Sequence, residues 1–221
     1  MTRDCQRKHN GDHHQNATMP RTINQPGSNQ ADNPLFFYMP DGEWGEFCQW
    51  HKSSFSVSRA EISDLIGHTI DETDPDGTIT FNCAEQFMMY CKAARFYDIP
   101  TQDQVLAASS PKEQKRLGKN VDGFTNESWD QIKSAVVETG NKAKFGQNAS
   151  LGRRLLSTGD RLLCEAASKD RVWGIGYTAK HALSHRQHWG ENRLGKALMA
   201  TREYLRSEEA RNKKPWEQYE A

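Results

Sequence analysis

The sequence predicts an α+β fold in a single, predominantly helical domain. Apolar residues recur at helical spacing in several segments between residues 82 and 206, as in amphipathic helices that bury one face. A few short runs rich in aromatic and β-branched residues, such as residues 35–38 and 78–81, have the composition of strands. Because helices dominate and the strands are few and short, the pattern is that of an α+β protein.

The first elements are strands separated by turns. Residues 35–38 form an aromatic strand, and residues 47–50 and 55–57 are two further short apolar pieces. Asp76-Gly77 is a dipeptide typical of hairpin turns, and residues 78–81 follow it as a strand. The stretch 38–80 is therefore expected to consist mostly of loops, long enough to carry function.

Six helices follow, and each is predicted from its end signals. Ser, Thr, Asp and Asn favour the N-cap, a Glu or Gln three residues later completes a capping box, and Gly favours the position after the end. A strand or turn at 162–166, a strand at 172–177 and a loop at 177–192 separate the fifth helix from the sixth. The helix signals are Asn82 for a helix to about residue 97, Thr101 with Gln104, Ser110-Pro111 with Gly118 past the end, Ser128 with Gln131, a fifth helix at 141–156, and Asn192 for the last helix.

The domain is predicted to span residues 35–206. Residues 1–34 are rich in Asn, Gln, His, Arg and Pro with few aliphatic residues, so they are predicted to be a disordered extension. Residues 207–221 are predicted to form a charged tail. Lys plus Arg and Asp plus Glu are both 29 in number, which excludes a global basic field that would attract duplex nucleic acid.

Cysteine usage points to a reducing compartment. The five cysteines form no C-x-x-C pair, and no signal peptide is recognisable, so we expect an intracellular protein of the cytoplasm or nucleus. No apolar run is long enough to cross a bilayer, so no membrane partner is expected. His181 and His185 would share a helix face, but a solvated polar segment explains them better than a metal site, and no metal is expected.

Candidate chemistry begins with Glu85 and Lys92. Seven residues are nearly two helical turns, so the two side chains share one stripe of a mostly apolar helix, where charges are costly unless paired or used. Glu85 is either a capping-box partner of Asn82 or a functional carboxylate. Lys92 is either a solvated lysine or a reactive amine. Lys144, between Ala143 and Phe145, either extends its amine to the surface or acts as a desolvated nucleophile towards an aldehyde carbon.

The segment that contains Asp170, Trp173, Gly174 and Gly176 is a second candidate. Asp170 is most simply a turn former, while glycines allow a ligand to approach the backbone and an indole offers a stacking face. This segment lacks the context of a dinucleotide-binding loop.

The last predicted helix carries two further candidates for phosphate binding. Asn192 is a helix cap whose helix N-terminus also suits a phosphate, and Arg202 contacts either a phosphate or a carboxylate.

The order of these motifs resembles the NADAR family, from about residue 36 to about residue 205. The motifs are A-E-Q-F-M-M-Y-C-K-A at 84–93, A-K-F at 143–145, T-G-D at 158–160, E-A at 165–166, D-x-x-W-G-I-G at 170–176, W-G-E-N-x-L-G at 189–195 and L-M-x-x-R at 198–202. The stretch from Gly45 to Trp50 departs from the family's G-x-x-S-N pattern, because Cys48 and Gln49 replace Ser and Asn. The long N-terminal extension is more similar to eukaryotic members.

The resemblance implies an N-glycosidase that removes ADP-ribose from a guanine base in nucleic acid or a nucleotide. It implies that Glu85 and Asp170 are the paired carboxylates, that Lys92 or Lys144 protonates the base or forms a Schiff base, and that Trp173 stacks on the base. The segment with Gly45 and Gln49 is expected to line the pocket, and no cofactor is needed.

Two alternatives remain open: an N-glycosidase acting on phosphoribosylamino intermediates of riboflavin synthesis, and a module that binds ADP-ribose without cleaving it. The oligomeric state is also left open.

Overall fold

The computed structural model describes residues 33–212. The other parts of the predicted extension and tail, 1–32 and 213–221, lie outside the described residues, as does Cys5. The strands are β1 (Leu35–Phe37), β2 (Phe55–Ser58), β3 (Thr78–Phe81) and β4 (Leu163–Glu165). The helices are α1 (Arg59–Ile66), α2 (Ala84–Arg95), α3 (Ile99–Ala107), α4 (Pro111–Lys119), α5 (Asn126–Gln147), α6 (Ala149–Leu156), α7 (Ala179–Ala182) and α8 (Arg193–Asn212).

The architecture confirms the predicted α+β class, with helices around two small sheets. Strand β1 pairs in parallel with β4, so that Phe37 lies opposite Glu165, and β2 pairs with β3 in antiparallel orientation, with α1 in the connection between them. The parallel pair joins the start of the domain to a segment far along the chain. It thereby places the end of β4 beside the loop that follows β1.

Helix α2 lies at the centre of the core. Ten of its twelve residues are buried, and it packs against α3, α4 and α5. On one side Phe87 contacts Phe81 with their rings 5.1 Å apart, and on another Met89 packs against Gly118 of α4, where a methyl group would collide with its sulfur atom. A helix buried on nearly all sides lacks a polar face for solvent, so each polar side chain on α2 has a specific environment.

Several predicted helix caps are wrong, and for Asn82 the reason is a tertiary contact. Asn82 does not cap α2: its amide donates to the carbonyl of Ala108 and accepts from Gln114, and Cys83 occupies the N-cap position. Gly118 lies inside α4 rather than after it. Ser110 is the N-cap of α4 as predicted, whereas Asp98 takes the place predicted for Thr101 and Thr125 that predicted for Ser128.

The long helix α5 replaces the predicted break before residue 141. Gly140 resembles a helix stop, but it lies inside α5, where an added Cβ would come within 2.6 Å of the Phe87 ring. The break comes at Asn148, whose side chain donates to the carbonyls of Ser54 and Lys144. The sequence analysis also missed α1, which has Ser58 as its N-cap.

Residues 172–177 are not a strand, because their backbone caps α8. The carbonyls of Val172 and Trp173 accept hydrogen bonds from the backbone N–H groups of Arg193 and Leu194 at 3.1 Å each. These are donors that a helix N-terminus leaves without partners inside the helix. Helix α8 continues to Asn212, past the predicted end of the domain.

Within residues 33–212, helices are too short or too polar to span a membrane.

Candidate active site

A cavity of about 510 Å³ opens where α2, α4, the end of β4 and the loop after it converge. This volume is in the range that binds small molecules. Its walls combine acidic, basic and aromatic side chains. The acidic members are Glu85, Glu165 and Asp170; the basic members are Lys92, Lys115, Lys119 and Lys169; the aromatic members are Tyr38, Trp50, Trp129 and Trp173.

Glu85 is a buried carboxylate on the first turn of α2, with 5% of its surface exposed. Burial raises the pKa of its carboxyl group, while the charge of Lys115 and a hydrogen bond from Trp50 lower it. Because Cys83 takes the N-cap position, the alternative of a capping box with Asn82 does not apply. Glu85 is therefore held in the wall of the cavity by α2 itself.

Glu165 is a cavity carboxylate that the sequence analysis did not single out. It is the last residue of β4, and both its backbone groups are fixed: its N–H donates to Asn192 Oδ1 at 3.1 Å, and its carbonyl accepts from Ile175 at 2.9 Å. Among residues 33–212, its buried Oε2 atom receives no hydrogen bond. Burial first, and then the charges of Asp170 and Glu85, raise the pKa of Glu165 to about 7.

Asp170 lines the cavity, and one of its two carboxylate oxygens already accepts hydrogen bonds from the backbone. Its Oδ1 atom accepts hydrogen bonds from the backbone N–H groups of Val172 at 2.9 Å and Trp173 at 2.8 Å. The turn-former interpretation therefore holds, and it coexists with a position in the cavity wall. By fixing the backbone of Trp173, Asp170 also sets the position from which that indole faces the cavity.

Lys92 is the candidate lysine that lines the cavity. Its ammonium group donates to the carbonyl of Gly118 at 2.6 Å and lies 3.9 Å from the centre of the Phe124 ring. Burial lowers its pKa. Three further lysines line the same cavity from two sides: Lys115 and Lys119 project from successive turns of α4, and Lys169 projects from the loop after β4.

Lys144 is fully buried behind the cavity wall rather than in it. Its ammonium group donates to the carbonyls of Glu46 at 2.7 Å and Cys48 at 3.0 Å. Burial lowers its pKa to about 8. The predicted alternative in which its amine extends to the surface is wrong, since none of the side chain is exposed. Its contacts hold the segment that contains Cys48 and Gln49.

The segment from Gly45 to Trp50 contributes to the cavity in part. Cys48 and Gln49 line it, as expected for the two positions that depart from the family pattern. The side-chain oxygen of Gln49 accepts from Asn141 at 3.1 Å, and burial raises the pKa of Cys48 to about 11. Gly45 lies outside the lining, where a Cβ would come within 2.3 Å of the Pro40 carbonyl.

Four predicted binding residues lie outside the cavity lining. Asn192 has a buried side chain that donates to the carbonyl of Leu163 at 2.8 Å, so it supports β4 instead of binding phosphate at a helix end. Arg202 is buried and donates to Thr158 Oγ1 at 2.8 Å. Gly174 and Gly176 shape the loop: an added Cβ at Gly174 would come within 2.8 Å of the backbone carbonyl oxygen of Glu165, and Gly176 has a φ of 77°.

The part of the chain that the structure describes offers no evident metal-binding site. No cluster of three His, Cys, Asp or Glu side chains within residues 33–212 is arranged to hold a metal ion. The exposed His181, in α7, and His185, in the segment after it, are absent from the cavity lining.

The fold and cavity define a single-domain α+β protein with an open cavity that holds acidic and basic groups, as enzyme sites do. A family model described as the NADAR domain matches residues 36–206. The chain belongs to the NADAR family, which confirms the resemblance noted in its sequence.

Named relatives include N-glycosidases. The chain is 42% identical over 122 residues to N-glycosidase R617 of Acanthamoeba polyphaga mimivirus, which covers 54% of this chain and 72% of that protein. It is 33% identical over 116 residues to N-glycosidase YbiA of Escherichia coli strain K12, covering 52% of this chain and 67% of that protein.

A further relative carries a biosynthetic name. The riboflavin biosynthesis protein VVA0006 of Vibrio vulnificus strain YJ016 is 30% identical over 178 residues, which span 80% of this chain and 40% of that protein. Among solved structures, the NMR structure of the E. coli protein YbiA matches with a TM-score of 0.58 and 24% identity, covering 80% of this chain and 86% of that one. The structural match supports the fold.

Proposed function

We propose that the protein is an N-glycosidase that hydrolyses the bond between ADP-ribose and a guanine base, in nucleic acid or in a nucleotide. The observation that carries this proposal is the buried carboxyl group of Glu165 beside Glu85 and Asp170, in a cavity that also holds indole rings and lysines. A carboxyl group with a pKa near 7 keeps its proton in about half of the molecules at neutral pH, which suits a general acid.

The two roles in hydrolysis follow from the two environments. Cleavage of the bond between C1 of the ribose and the base nitrogen leaves positive charge on the sugar and an electron pair on the base. Glu165 would donate its proton to the departing base. Glu85, whose carboxylate is supported by Lys115 and Trp50, would stabilise the sugar cation and accept a proton from the attacking water.

The remaining cavity groups match the rest of the substrate. The second oxygen of Asp170 would hold ribose hydroxyls, and the indole of Trp173 would stack on the base. The exposed lysines of α4 and Lys169 provide positive charge for a diphosphate. With Glu165 as the acid, Lys92 is proposed for the other lysine role, a Schiff base with C1, whereas Lys144 is proposed to position the Cys48–Gln49 wall.

The test is hydrolysis of a guanine-ADP-ribosylated oligonucleotide by purified protein, followed by mass spectrometry. Release of ADP-ribose by the wild type and loss of release in Glu85→Gln is the expected result. Glu209→Gln removes an exposed carboxylate of α8 and is the matched control. Addition of borohydride during turnover traps a Schiff base on Lys92 if one forms, and the adduct is absent from Lys92→Arg.

A second candidate function is supported by the Vibrio relative, which is named as a riboflavin biosynthesis protein and aligns with 80% of this chain. A phosphoribosylamino-pyrimidine also needs a general acid, a ribose site and a cation for its phosphate. Hydrolysis of this compound, with the ADP-ribosylated oligonucleotide left intact, would select the second function. Binding of ADP-ribose without hydrolysis of either substrate would indicate a non-catalytic module.

A further inference from the structure

A surface beside the cavity is formed by residues 171–190, here called the flap. Hydrogen bonds join its two ends. The N–H of Glu191, the residue directly after the flap, donates to the carbonyl of Arg171 at 2.7 Å, and the N–H of Gly190 donates to the carbonyl of Ile175 at 2.9 Å. The cavity residues Asp170 and Leu194 lie just outside these ends. The flap therefore projects from the rim of the cavity.

The charge of the flap differs from that of the whole chain. The chain has 29 basic and 29 acidic residues, yet the twenty residues of the flap include no Asp or Glu. The flap carries Arg171, Lys180 and Arg186, together with three histidines, and these side chains are exposed. The nearest carboxylate after it, Glu191, forms an ion pair with Arg193 at 2.7 Å. The flap therefore presents positive charge without internal neutralisation.

A groove and ordered aromatic rings accompany this charge. The short 3₁₀ helix Leu183–His188 lines a groove of about 510 Å³ that is separate from the cavity. The rings of Tyr177 and His185 stack with centroids 4.7 Å apart, and the Trp189 indole donates to the carbonyl of Ala182 at 2.8 Å. These contacts order the segment that carries the exposed cations, which lowers the entropy cost of binding an extended anion.

We infer that the flap binds the sugar–phosphate backbone of a single-stranded nucleic acid whose modified base occupies the cavity. This inference rests on the proposed function. An enzyme acting on a base takes it out of the stack, so the neighbouring strand has to pass along the protein surface. Surfaces that bind single strands combine cations that follow the backbone with aromatic rings, and the flap has both. The substrate class is then a polynucleotide rather than a free nucleotide.

The test compares two substrates that contain the same bond between ADP-ribose and guanine. One is an ADP-ribosylated single-stranded oligonucleotide, and the other is ADP-ribosylated guanosine monophosphate. Lys180→Glu/Arg186→Glu is expected to lower kcat/KM on the oligonucleotide at least tenfold and to change kcat/KM on the mononucleotide by less than twofold. The slope of log affinity against log salt for an unmodified oligonucleotide should fall by about 1.4, because each phosphate contact on a single strand contributes roughly 0.7.

Two control variants accompany the charge reversal. Arg153→Glu/Arg211→Glu reverses two exposed charges on α6 and α8 and is expected to leave both substrates unaffected. Lys180→Gln/Arg186→Gln removes the same two charges without reversing them and is expected to give a smaller loss, which supports the inference even if the reversed variant fails to fold.

Equal loss on both substrates, or no loss on the oligonucleotide, would overturn the inference. If the wild type hydrolyses neither substrate, the proposed function fails, and the affinity for the unmodified oligonucleotide still tests the flap. Absence of that binding in the wild type would also overturn the inference.

Discussion

Replacement of Glu165 by Gln tests the acid role directly, because it removes the proton and keeps the size of the side chain. The wild-type carboxyl has a pKa of about 7, raised chiefly by burial. If its protonated form donates to the base, about nine-tenths of the molecules are competent at pH 6 and about one-tenth at pH 8. Wild-type kcat/KM should therefore fall about tenfold between these two values.

The variant should lose that pH dependence together with most of its activity. General acids typically contribute at least about 100-fold, so Glu165→Gln is expected to have about 1% of wild-type kcat/KM at pH 6 and no decline around pH 7. The assay is initial-rate hydrolysis across pH 5 to 9. Glu209→Gln, an exposed carboxylate on α8, is expected to reproduce the wild-type profile.

The free energy of unfolding provides a second readout, because Glu165→Gln is expected to lower activity but to raise stability at high pH. The folded state holds a proton on Glu165 up to about pH 7, whereas an unperturbed carboxyl releases it near 4.5. The stability contributed by this group is fully present below pH 4.5 and is lost as pH rises to 7. At about 1.36 kcal/mol per pKa unit, the loss is about 3 kcal/mol. Glu165→Gln should thus be more stable than the wild type at pH 8 and similar at pH 4.5.

Two results would refute this reasoning. A variant that keeps the wild-type decline near pH 7 would mean that another group supplies the proton. If Glu165→Gln changes the free energy of unfolding by the same amount at pH 4.5 and at pH 8, the carboxyl group is not desolvated in the folded protein. Urea unfolding followed by tryptophan fluorescence at the two pH values measures that difference.

Two further predictions concern the support of the site. Gly195→Ala is expected to lower the free energy of unfolding by about 1–3 kcal/mol, because its Cβ would come within 2.1 Å of a backbone carbonyl of β4; Gly146→Ala, with 3.9 Å to its nearest neighbour, should be neutral or stabilising. Lys144→Met is expected to cost about 3 kcal/mol, because it leaves two buried carbonyls without their donor; Lys142→Met, in a surface ion pair, should cost less than about 1 kcal/mol. Chemical unfolding of the four variants measures both, and equal losses within either pair would contradict the respective argument.

The fold class could be predicted because local signals coincide with it, but individual boundaries could not. The aromatic strand β1 and the apolar pattern of α2 are readable from composition alone. The end of α5 is not, because Gly140 followed by Asn141 has the local chemistry of a helix stop. Only the tertiary partners, the Phe87 ring at one residue and Gln49 at the next, explain why the helix continues.

The cavity lining is predictable to the extent that its residues lie in motifs with unusual chemistry. Glu85, Lys92, Asp170 and Trp173 lie in such motifs, and all four line the cavity. Glu165 was not found, because a glutamate at the end of a three-residue strand carries no local signal of burial. Its Glu-Ala pair stands in the motif order of the family, which could have drawn attention to it.

The parallel pairing of β1 with β4 has a consequence for the order in which the cavity is assembled during synthesis. Strand β1 leaves the ribosome early, but its partner and the carboxylate at the partner's end follow only after most of the domain has been made. Closing so long a loop costs roughly 4 kcal/mol of chain entropy, which is regained only when the late segment docks. A nascent chain that stops before β4 is therefore expected to hold Glu85 without Glu165, and full-length folding is expected to be slow relative to that of the local helix pairs.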